Sequence, residues 1–284
     1  MSPLLSWSKT SRPSPIVPRV ALVTGGGSGM GQLAAWRLAE SGAAVGALDI
    51  NSAGLDETAA RFPGLIRPIA VDVTDEAAVN DAVDEIETHL GPIDRVMNAA
   101  GVAQTVPLLD HPPAQIKRMM TINYFGTVNV SAATLPRMLE RRRGQLINFA
   151  SLLGLVGAPN LGAYVASKAA VIAYTEALWS ENKDCGVRIM CYCPPAVSTP
   201  MFSDFIPEAA QRKTAQRLRL AITPERALDS LESATGDKGF LIVPTAVAQI
   251  MWWTRRQSPG LMGKLMSIST NMQGGDHPAV GPRA

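Results

Sequence analysis

Apolar and polar positions along this chain alternate between two periods. From Arg19, RVALVT is a short, β-branched, continuous apolar run; a glycine-rich turn follows, and then QLAAWRLAESG, whose apolar positions recur at helical spacing. The cycle then repeats. AAVGALDI predicts a second strand, SAGLDETAARF a helix and LIRPIAVDV a third strand. DEAAVNDAVDEIETHLG is the most regular stretch, with Ala78, Val79, Ala82, Val83, Ile86 and Leu90 on one helical stripe. PIDRVMNAAG reads as a fourth strand and its exit, and a long helix is expected over much of AQIKRMMTINYFGTVNVSAATLPRMLERR. GQLINFAS and GVRIMCYCP are the fifth and sixth strands. Strands alternating with helices predict an α/β fold: a Rossmann-type doubly wound parallel sheet of about seven strands, with helices on both faces and right-handed crossovers.

After Pro195 the rhythm breaks. VSTPMFSDFIPEAAQRKTAQRLRLAI is mixed, and a substrate lid is expected over roughly residues 198–235. TPERALDSLESA starts a helix: Thr223 is the N-cap, Pro224 takes the first helical position and Glu225 adds negative charge to the first turn. Arg226 stands where a capping box would want Glu or Gln. GFLIVP is a short seventh strand. TAVAQIMWWTRRQSPGLMGKLMSIST is expected to be helical in its first half, with Trp252 and Trp253 exposed. One domain is expected over residues 19–272. Residues 1–18, rich in Pro and Ser and lacking the apolar core of a secretory signal, read as a disordered arm; residues 273–284 read as a disordered tail.

Composition narrows the function classes. The 284 residues are 46% hydrophobic and 18% charged, an ordinary globular balance, and a net charge of +2 makes no case for nucleic acid. Cys185, Cys191 and Cys193 form neither a metal spacing nor a disulfide framework, so no metal is expected. Cys191 and Cys193 point the same way from one strand and read as small core residues in a reducing, cytoplasmic setting. No apolar run reaches the ~18 residues a membrane span needs. Trp252, Trp253, Arg255, Arg256 and residues 261–266 make an aromatic, basic and apolar segment. Packing on another subunit, in a homodimer or homotetramer, or service as a pocket wall is favoured there over peripheral membrane contact.

The candidate chemistry lies at strand ends. Gly25, Gly26, Gly27, Ser28, Gly29, Met30 and Gly31 follow Thr24 between the first strand and the first helix, where a doubly wound sheet binds a dinucleotide. Glycines let the backbone approach a pyrophosphate, and a helix N-terminus supplies N–H donors and positive potential. The loop lacks the Lys-Ser/Thr ending of a nucleoside triphosphate loop. Asp49 closes the second strand; a carboxylate there binds ribose hydroxyls and repels a 2′-phosphate. Neither the loop nor Ile50 and Asn51 offers a cation for that phosphate, so NAD is expected over NADP. Asp49 as a plain cap of the next helix is the competing reading. Asp72-Val73 closes the third strand, where the carboxylate serves either an adenine amino group or a helix start. Asn98, Ala99, Ala100 and Gly101 end the fourth strand: the small residues leave room beside a cofactor, and Asn98 ties strand ends together. Ser151 ends the fifth strand. Tyr164 and Lys168, four apart on a helix, share one face. A lysine held beside a phenol favours phenolate, which predicts a lowered tyrosine pKa and a proton donor and acceptor for an alcohol or ketone.

Together these residues resemble the short-chain dehydrogenase/reductase family, over roughly Arg19 to Thr199. The likeness rests on TGGGSGMG, Asp49, Asp72-Val73, NAAG, Asn123, the Ser151, Tyr164, Lys168 set and a Pro-Thr segment after the sixth strand. The resemblance implies that Tyr164 is the general acid/base, that Lys168 lowers its pKa and bonds the nicotinamide ribose, that Ser151 positions the substrate oxygen and that Asn123 belongs to a proton relay through water. It assigns Gly25, Gly27, Ser28, Gly29, Met30, Gly31, Asp49, Ile50, Asp72, Val73, Asn98, Ala99, Gly101, Pro194, Val197 and Thr199 to the cofactor. The family usually carries Pro-Gly after strand six; this chain has Pro194-Pro195, and a proline cannot take the backbone angles open to glycine.

The implied activity is hydride transfer between NAD(H) and a secondary alcohol or ketone. The pocket expected from Ser151, Leu152, Leu153, Val156, Leu161, Met201 and Phe202 is apolar and lacks Arg or Lys. A lipophilic substrate (steroid, terpenoid, fatty or alicyclic) follows. A non-catalytic dinucleotide-binding regulator stays open as an alternative. So does an epimerase or dehydratase, although those usually carry longer C-terminal substrate domains.

Overall fold

A computed structural model describes residues 17–205, 221–235 and 239–271. Most of the expected N-terminal arm, the C-terminal tail and the middle of the expected lid lie outside the described residues. Strands β1 (Val20–Thr24), β2 (Ala44–Asp49), β3 (Ile66–Ala70), β4 (Arg95–Asn98), β5 (Gly144–Phe149), β6 (Val187–Tyr192) and β9 (Leu241–Ile242) form a seven-stranded sheet in the order β3-β2-β1-β4-β5-β6-β9. All its pairings are parallel. Order reverses between β1 and β4, which opens a crevice at the carboxyl edge. The pairings Thr24 with Leu48 and Asn98, and Asn98 with Asn148, bring the functional strand ends into one row. A second, two-stranded ladder joins β7 (Ala196–Val197) to β8 (Ala221–Ile222).

Helices α1 (Gly29–Glu40), α2 (Ser52–Ala60) and α3 (Glu76–Leu90) follow the first three strands. The predicted stripe of α3 buries Val79, Ala82, Val83 and Ile86, and the Val and Ile side chains contribute about 1.5–3 kcal/mol each when fully buried. A Cβ on Gly46 of β2 would run into Ile86, so that glycine sets how closely helix and sheet approach. Asn51, not Asp49, caps α2 by accepting from Gly54 N, and Asp75 caps α3.

The long helix expected from Ala114 onward is broken. Residues Pro113–Met120 (α4) and Gly126–Glu140 (α5) are joined by a π-helical turn, Thr121–Phe125. The wider turn spends an extra residue, and Gly126 N–H reaches back to Thr121 O. Next come α6 (Leu153–Val156), α7 (Gly162–Glu181), α8 (Pro200–Phe205), α9 (Pro224–Ala234), α10 (Ala246–Gln257) and α11 (Pro259–Asn271). Thr223 caps α9 through Arg226 N, as its sequence predicts. Helix α11 corrects the expectation of a helical first half only. Ser258-Pro259 reads as a stop but works as a restart, because proline fits a first helical turn. Of the two tryptophans expected to be exposed, Trp253 is and Trp252 packs on the core. Among the described residues no helix is long and apolar enough to cross a membrane.

Candidate active site

The glycine turn lies against a cleft of about 280 Å³ at the crevice, lined by Gly25, Ser28, Gly29, Met30, Gly31, Asp49, Ile50, Asp72, Val73, Ala99 and Gly101, with Thr199 and Met201 also on the lining. Gly25 and Gly29 take positive φ (70° and 55°), and a Cβ on Gly31 would collide with the carbonyl of Gly25. Ser28 occupies the N-cap of α1 yet makes no capping bond through its side chain. The first-turn N–H groups are therefore left for an anion, which fits a pyrophosphate. Asp49 Oδ2 accepts from Gly27 N at 2.9 Å and Oδ1 from Asn51 N at 2.9 Å, which holds the carboxylate at the cleft. Asp72 Oδ1 accepts from Thr74 N at 2.9 Å, so it braces a turn rather than capping α3. Gly27 itself is not on the lining; it positions Asp49. Asn98 is a strand tie set back from the cleft: buried, it donates to Asn148 Oδ1 at 2.9 Å. Arg118 of α4 and Ile122 of the π turn also reach the cleft. Arg118 was not foreseen, because it arrives from a distant helix and not from the residues around Asp49.

Ser151 follows β5, and α7 presents Tyr164 in its first turn and Lys168 one turn later. The Ser151 hydroxyl and the Tyr164 phenol share a hydrogen bond, and Ser151 Oγ also accepts from Leu153 N at 3.2 Å. Lys168 Nζ donates to Phe149 O at 2.8 Å and lies 5.9 Å from the Tyr164 ring centroid. The expected lowering of the phenol's pKa is overturned in the protein alone. Burial pushes Tyr164 up to about 12, with the Ser151 bond opposing it, and burial pushes Lys168 down to about 8. For the phenol, desolvation outweighs the Ser151 hydrogen bond that opposes it.

Asn123, fully buried in the π turn, accepts from Val102 N at 2.8 Å. Its amide donates to Val102 O and to Ser167 Oγ, both at 2.9 Å. Both amide protons are committed, so the side chain clamps the exit of β4 to α7. Gly101 fills the gap between them: a Cβ there would lie 3.1 Å from Asn123 Oδ1 and 3.4 Å from Lys168 Nζ.

A second cavity, of about 470 Å³, opens beside Ser151 and Tyr164. Leu152, Leu153, Leu161, Met201 and Phe202 line it as expected; Pro194 and Val197 line this cavity and not the dinucleotide cleft. Val156 does not line it, being buried in the core beneath with Val171 and Ile172. The unforeseen part is the wall from α10 and α11, where Val247, Met251, Met262, Leu265 and Met266 face the cavity. Thr105 and Asn160 add polar groups at the rim. Met30, Thr199 and Met201 line both cavities, so the two spaces adjoin. Pro194 O, after β6, accepts from Leu152 N at 2.9 Å, and Pro195 lines the cavity where the resemblance expects glycine.

The family description "short chain dehydrogenase" matches residues 19–210. A 2-dehydro-3-deoxy-L-rhamnonate dehydrogenase (NAD(+)) from a Sphingomonas species is 36% identical over 192 residues, covering 67% of this chain and 76% of that one. A 1-deoxy-11-beta-hydroxypentalenate dehydrogenase from Streptomyces avermitilis is 34% identical over 239 residues, covering 82% and 86%. The solved structure of a short chain dehydrogenase from Mycobacterium paratuberculosis bound to NAD superposes with a TM-score of 0.72 at 26% identity, covering 81% of this chain and 98% of that one.

Proposed function

This chain belongs to the short-chain dehydrogenase family of oxidoreductases, and from that premise we propose that it exchanges a hydride between NAD(H) and a secondary alcohol or ketone with a largely apolar body. The observation that carries the reading is the junction of the two cavities. Tyr164 and Ser151 stand on the wall of the apolar one, and Met30, Thr199 and Met201 are shared with the glycine-loop cleft.

A bound nicotinamide supplies the hydride acceptor or donor; the chain supplies position and the proton. In reduction the Tyr164 phenol, protonated at neutral pH, gives its proton to the carbonyl oxygen, and the Ser151 hydroxyl donates to the same oxygen. In oxidation the direction reverses and the phenol must first lose its proton, so oxidation quickens as pH rises. Lys168, four residues on, favours that phenolate below about pH 8, where it keeps its own proton. Asn123 acts by holding Val102 and α7 at their separation. Asp49 turns its carboxylate to the cleft with lone pairs left for ribose hydroxyls, which supports NAD, and one relative's name carries NAD(+). The lining supports an apolar substrate, and the relative named for a hydroxypentalenate covers most of this chain.

The test is a panel of alcohols, ketones, sugars and hydroxy acids followed by NADH and NADPH absorbance. Apolar ketones with NADH should turn over best. Tyr164→Phe should lower kcat by at least 1,000-fold while leaving NADH affinity within about threefold. Preference for NADPH removes the cofactor assignment, preference for sugar acids removes the substrate class, and an active Tyr164→Phe removes the proton donor.

A further inference from the structure

Beyond the catalytic reading, we infer that the outer face of α10 and α11 is a docking surface for an anionic lipid bilayer. The two helices are two-sided. Their inner faces carry Met251, Met262 and Met266 against the apolar cavity. Their outer faces leave Ile250 and Trp253 each 63% exposed, and Leu261 and Leu265 about half exposed. Such large apolar groups gathered on two consecutive helices call for a covering surface.

Charge chooses the occupant. Residues 246–271 contain Arg255, Arg256 and Lys264 and no carboxylate side chain. The three cations are exposed. Arg256 follows Trp253 by three positions and Lys264 follows Leu261 by three, so Trp253 and Leu261 each have a cation on their own helical face. Arg256 also lies 5.5 Å from the Trp252 ring centroid, which keeps its guanidinium at the aromatic border. Exposed Trp and Leu beside Arg and Lys is the composition of an interfacial helix, whose apolar side enters the headgroup boundary while cations meet anionic lipid. A second copy seated on the same face by two-fold symmetry would set these cations against their equivalents, with no carboxylate of the face to neutralise them. Leu265 belongs to both the exposed face and the cavity lining, so the cavity opens toward the covered side. A lipophilic compound dissolved in the bilayer would meet that opening directly.

The experiment is co-flotation of the full chain with vesicles of phosphatidylcholine alone and with 30% phosphatidylglycerol. Three variants accompany the wild type: Trp253→Ser/Leu261→Ser, Arg256→Gln/Lys264→Gln, and Asp229→Asn as a control on the exposed surface of α9. Circular dichroism melts confirm that each is folded. Binding to the anionic vesicles is expected, weakened at least tenfold by the apolar pair, about fivefold per cation removed, and reversed by 0.5 M salt. The control should bind as wild type. No flotation, equal flotation on neutral vesicles, or flotation indifferent to both pairs overturns the inference. So does sedimentation showing a dimer that the Trp253/Leu261 pair dissolves. None of these readouts uses turnover, so the lipid surface and the redox assignment fail separately.

Discussion

Tyr164 and Lys168 enter the interior at opposite ends of the pH scale. Burial moves the phenol up to about 12 and the ammonium down to about 8, so at pH 7 Tyr164 is neutral and Lys168 is a buried cation that donates to Phe149 O. Between pH 8 and the ordinary lysine range near 10.4 the unfolded chain holds the Lys168 proton more firmly than the folded one. This group therefore makes folding more favourable as pH rises through that window. The effect is isolated by comparing wild type with Lys168→Met in urea at pH 7 and pH 9.5. The variant should be the more stable of the two at pH 7, the gap should shrink at pH 9.5, and turnover should be lost at both. Equal gaps at the two pH values would show that the buried ammonium is not strained. The residue types here were legible because a hydroxyl, a phenol and an amine at fixed spacing announce a shared face. The direction of the phenol's shift was not, because spacing reports neighbours and burial decides the sign.

The π turn between α4 and α5 shows what periodicity hides. Apolar positions continue through MTINYFGTVNV without a visible break, and one extra residue in a helix leaves no mark on composition. What marks the spot in retrospect is Asn123, a fully buried amide inside a helical run, and Gly126, where a Cβ would meet Val73. Asn123→Leu leaves Val102 N and O and the Ser167 hydroxyl without that partner. The Ser167 hydroxyl keeps its bond to Tyr164 O, and leaving each of the two Val102 groups unmet costs about 1–3 kcal/mol, so the variant should lose roughly 2–6 kcal/mol in urea unfolding and bind NADH at least tenfold more weakly, since Val102 lines the cleft. A loss under 1 kcal/mol would mean that the loop finds its position without the clamp. Helix α11 was hidden for a different reason: Ser-Pro is the same dipeptide whether it ends a helix or starts one.

Across the whole molecule, the seven-stranded parallel sheet and the glycine-loop cleft were readable because each strand carries its own signal and strands alternate with helices, whereas the order of the strands was not predicted. The apolar cavity was only half readable. Ser151, Leu153, Leu161, Met201 and Phe202 lie near the motifs, whereas Met251, Met262 and Met266 come from more than 80 residues beyond Lys168 and carry no motif. A flexible thioether wall adapts to the shape set against it, so it encodes a polarity and leaves the outline of a ligand open.

One feature of the sheet makes the protein its own reporter. Cys191 and Cys193 are wholly buried with their sulfurs 3.9 Å apart, and β6, which carries Cys191, is held between β5 and β9, while Cys185 lies partly open beyond the strand's other end. Burial raises the Cys193 thiol well above its ordinary range, which suppresses the reactive thiolate. With a chromogenic disulfide reagent, one thiol should titrate within minutes and two only at the rate at which the centre of the sheet comes apart. Three fast thiols would mean that β6 detaches locally. Two slow ones turn a colorimetric assay into a clock for spontaneous unfolding, with no label added.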